Sequence, residues 1–161
     1  MAHGNAPGDD TPLKIDQLHR DILAPQLDAF VSAAPDAAAR APYEALRAAL
    51  DTLNVPPALA ARLGAIAELA ITSGRVREAY GPGAELALWG LFQKTPRGRD
   101  IAASVAALNA ALKPLAGQTI ESLNAVARAP GAYALTIKTD QCQLVIRFEP
   151  AGVRIESLEV G

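Results

Sequence analysis

The hydrophobic pattern changes its period near residue 130, and that change restricts the fold more than any other feature. Residues 1–129 are rich in alanine, punctuated by proline, and repeat their apolar positions every three or four residues, as helices do. Residues 133–138, 142–148 and 153–160 instead alternate, with Thr139 and Asp140 in the first gap and Pro150, Ala151 and Gly152 in the second. Helices followed by short alternating strands define an α+β class. The expected architecture is five to six helices followed by a three-stranded antiparallel β-meander over 132–160, packed on them. Residues 1–10 read as a flexible lead-in and 11–161 as a single globular domain, helical over 11–129.

The helix punctuation is local chemistry. Thr11-Pro12 reads as a cap hydroxyl followed by a proline at the first helical position. Pro25 and Pro42 should kink or interrupt their segments, leaving 43–53 as the clearer second helix. Pro56 and Pro57 start a helix to Ser73, and Gly74 stands where a left-handed cap is expected. Residues 84–94 are apolar nearly all round, which marks a central helix with Trp89 as a core anchor. Thr95-Pro96 starts a helix striped by Ile101, Val105, Leu108 and Leu112, and Pro114 ends it. Residues 119–129 stay open between helix and strand; Ile120, Leu123 and Val126 suit a short helix.

Within the meander the faces are readable. Tyr133, Leu135 and Ile137 share a side, as do Cys142, Leu144, Ile146 and Phe148; Gln143 and Arg147 lie opposite, with Val145 as the apolar exception. Val153 and Ile155 fall out of step with Leu158 and Val160 unless a bulge sits at Glu156 and Ser157. A bulged last strand is expected to be a sheet edge.

Composition narrows the function classes. Half of the residues are hydrophobic and 20% charged, a globular balance, but aromatics are only 4% and alanine carries much of the apolar content. The net charge of −2 disfavours a nucleic-acid binder. A helix-turn-helix with a β-wing ranks last for that reason, since Arg62 is the only cation its 55–73 helix would offer. The charge is unevenly placed: residues 1–51 hold eight acids against four bases, and 75–99 five bases against two acids. No apolar run reaches the ~18 residues needed to cross a bilayer, so a soluble, cytoplasmic protein is expected.

No catalytic constellation emerges, and no cofactor or metal is expected. Cys142 sits on the core side of a strand, far from the electropositive setting a nucleophilic thiol needs. His19, with Asp16 three residues before it, lacks a second ligand at helical spacing and reads as a solvated helix-face residue. The richest stretch is 75–99, where Arg75, Arg77, Tyr80, Trp89, Arg97 and Arg99 gather cations and polar-tipped aromatics. Arg97 and Arg99 flank a helix start, whose free N–H groups favour anions.

Two function classes follow. The leading expectation is a non-enzymatic interaction or assembly subunit that uses helix faces and the sheet edge, with a protein partner or self-association. The alternative is a small anionic ligand-binding or enzymatic domain built on those six residues. Whether their side chains converge on one cavity separates the two.

Overall fold

The computed structural model describes residues 11–160. The expected flexible lead-in over 1–10 lies outside the described residues. The fold is α+β, and the chain divides into two compact units at Gly98/Arg99.

The first unit contains β1 (Leu13–Lys14), α1 (Gln17–Ala33), α2 (Ala37–Asp51), β2 (Asn54–Val55), α3 (Pro57–Thr72), α4 (Arg75–Tyr80) and α5 (Pro82–Phe92). Leu13 pairs with Val55 and Lys14 with Asn54, in a two-residue ladder where a helix start was expected at Thr11-Pro12. The cap lies instead at Asp16, whose carboxylate accepts the His19 N–H at 2.9 Å. Asp36 caps α2 in the same way, accepting from Ala39 N at 2.8 Å. Two-residue ladders carry almost no periodic signal, so this one escapes a reading by pattern. Entry into β2 requires Leu53 to take a left-handed φ of 56°, so the second helix stops at Asp51 and not at 53.

Neither internal proline breaks its helix. α1 runs through Pro25 and α2 through Pro42. Pro25 leaves the carbonyl of Asp21, four residues earlier, without its usual donor. The Tyr80 hydroxyl stands 3.5 Å from that oxygen and donates to it. Burial does the rest: Leu23 and Leu27, on either side of Pro25, are fully enclosed. Around them Ile22, Leu46, Leu50, Val55, Leu63, Leu88, Leu91 and Phe92 complete the core of this unit.

His19 corrects a second expectation. It is not solvated but part-buried, and its Nε2–H donates to the Ala87 carbonyl of α5 at 3.0 Å. Its Nδ1 faces back to Asp16, 3.3 Å from the backbone N and 2.8 Å from the carboxylate. The ring therefore closes the α1 cap and ties that helix to α5. His19→Ala should cost about 1 kcal/mol, the sum of a weakened cap and one lost tertiary hydrogen bond, measured by urea denaturation.

α6 (Pro96–Leu112) opens across the boundary between the units. Its start is capped as expected: Gly98 N donates to Thr95 Oγ1 at 3.3 Å, and Thr95 is fully buried. A short 3-10 turn, Lys113–Leu115, follows.

The second unit carries a sheet of four strands, not three: β3 (Ile120–Ala129), β4 (Ala132–Thr139), β5 (Cys142–Glu149) and β6 (Gly152–Val160), all antiparallel in that order. Residues 120–129, which the sequence leaves open between helix and strand within its helical part, are the first strand. Eight register pairs with β4 override the helix preference of Ala125, Ala127 and Ala129. The bulge in β6 falls where the alternation required it: Ile155 faces Ile146, Ser157 faces Val145, and Glu156 is the extra residue. β3 carries two comparable irregularities, skipping Glu121 and Arg128.

Candidate functional site

The six residues singled out from the 75–99 stretch do not share one environment. Arg75 and Arg77 are two apart on α4, so the helix turns their side chains about 200° away from each other. Arg75 borders a cleft of about 350 Å³ with Phe30 and Leu69. Arg77 donates to Glu85 at 3.3 Å and borders a different cleft with Leu86 and Trp89; the two clefts have no lining residue in common. Tyr80 serves the Asp21 carbonyl. Arg97 turns toward Glu68 on α3, with Nε 3.7 Å from the carboxylate. Arg99 opens the second unit.

Trp89 is also not the enclosed anchor its leucine neighbours suggested. Helix α5 buries Ala84, Leu88, Leu91 and Phe92, which puts Trp89 at the edge of that stripe and Leu86 outside it, 38% and 70% exposed. The indole rests against Phe92, ring centroids 5.4 Å apart. Among the described residues no group of three His, Cys, Asp or Glu side chains is placed to hold a metal ion. Likewise, no helix among them is long and apolar enough to cross a membrane.

The second unit presents a different kind of surface. Register places Leu123, Ile137, Leu144 and Leu158 in one cross-strand row, and Ala125, Leu135, Ile146 and Ile155 in the next. Ala127, Tyr133, Phe148 and Val153 form a third row, and Cys142 with Val160 a fourth. All these side chains share one face, since directly opposed residues point the same way. Its centre is buried at Cys142, Leu144 and Ile146, but its rim is not: Leu123 is 60% exposed, Tyr133 53%, Phe148 40%, Leu158 42% and Val160 78%.

The opposite face carries Val126, Ala134 and Val145 but also several ion pairs. Lys138 lies 2.8 Å from Glu121, and that hydrogen-bonded carboxylate raises the ammonium pKa above its ordinary value. Arg147 bridges Glu156 at 2.5 Å and Glu149 at 3.6 Å, and Arg154 reaches Glu149 at 3.0 Å.

One end of the sheet is closed by a buried hydroxyl. Thr139 Oγ1 accepts the Cys142 N–H at 2.9 Å and the Gln141 N–H at 3.3 Å, and it lies 2.5 Å from Gln118 Oε1. Cys142 is enclosed beside it, with Sγ 3.4 Å from the same Gln118 oxygen. The thiol is thus placed in a structural node, as its strand position suggested.

No protein-family model matches this chain, and no curated protein or solved structure is significantly similar to it. The rim residue that sequence pattern does not place is Leu123, because 119–129 is open between helix and strand in the sequence. The signal available was the row partner Ile137, which has no neighbour on that side unless another strand pairs with it.

Proposed function

We propose that this chain is a non-enzymatic protein–protein interaction or assembly subunit, and that the apolar face of its sheet supplies the contact. The observation that carries the reading is the exposed rim formed by Leu123, Tyr133, Phe148, Leu158 and Val160 around a buried centre. An exposed hydrophobic patch of this kind is typical of surfaces that another protein covers. Tyr133 and Phe148 are directly opposed in register and both exposed, so the rim offers two aromatic anchors to a partner.

Sedimentation velocity over a range of concentrations, with and without a Leu123→Glu and Tyr133→Ser double variant, tests this. Both side chains are more than half exposed, so the substitutions should leave thermal stability nearly unchanged. The expected result is a concentration-dependent dimer or larger species for the native chain and a monomer for the variant. A native chain that stays strictly monomeric and recovers no partner that the variant loses would overturn the proposal.

A further inference from the structure

A second surface lies wholly in the first unit. Two clefts, of about 350 and 430 Å³, run along α1 and α3 and share Phe30 and Leu69. Their walls repeat at helical spacing: Ala29, Phe30 and Ala33 on α1, and Ala65, Ile66 and Leu69 on α3. The alanines keep the walls low, so that a backbone can approach closely. Phe30 stacks on Tyr43 of α2 at 5.2 Å and makes one end of the groove rigid.

A guanidinium marks each end. Arg62 lies over the Tyr43 ring, 5.3 Å from its centroid, and Arg75 borders the cleft that also includes Ser73. Along α3 the span from Arg62 to Ser73 is roughly 16 Å, at 1.5 Å per residue. Neither Arg62 nor Arg75 forms an ion pair with a carboxylate among the described residues, whereas Arg47, Arg77 and Arg97 all do. The nearest acid on α1, Asp28, is already held by Arg47 at 3.1 Å.

We infer that this groove docks an acidic amphipathic helix of a partner protein, about three turns long, with carboxylates near both ends of its apolar stripe. An open trough, with Leu69 52% exposed and Ala29, Ala33 and Ala65 outward, would leave a lipid chain wet along one side. A helix instead covers the trough with its apolar stripe and keeps its polar side in water. The two unpaired cations at the groove ends select the sign of the charge that flanks that stripe. The inference concerns the first unit alone and stands whether or not the sheet surface is an interface.

The test is fluorescence anisotropy of the full chain with two labelled synthetic helical peptides. Both carry leucines at i, i+4 and i+7; one has glutamates at each end and the other lysines. The acidic peptide should bind saturably and the lysine peptide at least roughly tenfold more weakly. Arg62→Gln and Arg75→Gln should each weaken the acidic peptide by roughly three- to tenfold, and Leu69→Asn should weaken it further. Raising salt from about 50 to about 500 mM should weaken it as well. Equal affinity for the two peptides, no loss in either arginine variant, or saturable binding of sodium dodecanoate without binding of the acidic peptide would each overturn the inference.

Discussion

Gly98→Ala is expected to lower the melting temperature by about 6–12 °C. A Cβ at Gly98 would stand 2.1 Å from the Phe92 carbonyl oxygen and 2.6 Å from Gln93 Cα, both backbone atoms with no rotamer through which to retreat. The carbonyl is itself fixed, since it accepts from Thr95 N at 2.9 Å and from Thr95 Oγ1 at 2.6 Å. Relief requires the α5–α6 turn to open and lose those bonds, so the cost falls at the upper end of overpacking, about 3 kcal/mol. For a chain of 161 residues each kcal/mol moves the midpoint by about 2–4 °C. Gly90→Ala is the matched control. Nothing lies within 4 Å of its added methyl, and it sits inside α5, so alanine should stabilise by about 0.5–1 kcal/mol. Differential scanning fluorimetry of the pair reads opposite signs; two shifts of the same sign would contradict the turn geometry.

Thr139→Val should cost about 2–3 kcal/mol although it preserves shape. The valine methyl occupies the hydroxyl's place but cannot accept from Cys142 N, and the vacated site is 4% exposed, too enclosed for bulk water to substitute. Gln118 loses its hydroxyl donor in the same step and keeps only the weaker Cys142 thiol. Thr139→Ser, which restores the oxygen, should recover most of the loss. Hydrogen exchange supplies the specific readout: the Cys142 amide should lose protection in the valine variant and keep it in the serine one.

Legibility in the sequence followed how each element is stabilised. β5 and β6 were readable because Cys142, Leu144, Ile146 and Phe148 alternate cleanly, and the slip between Ile155 and Leu158 had only one economical remedy. β3 was not readable. Its alanines favour helix in isolation, its two skipped residues break the alternation, and its stability comes from β4, which local pattern cannot show. The break expected at Pro25 fails for a similar reason, because buried neighbours and a distant tyrosine offset what the local rule demands. The cations of 75–99 were correctly seen as a cluster in the chain. Proximity along the chain becomes proximity in space only when the spacing fits the helix, and Arg75 and Arg77 do not fit it. The groove of Phe30, Tyr43 and Arg62 was invisible because its parts come from three helices whose juxtaposition no window contains.

The irregularities of the outer strands have a consequence for what this molecule can build. Glu121 and Arg128 bracket the first strand and Glu156 interrupts the last, so neither border offers a long flat template for a neighbouring backbone. Growth by endless lateral addition of chains, the route to fibres, is thereby discouraged at both margins. What stays open is the exposed rim of the apolar face, and a two-fold contact through it closes on itself once two copies meet.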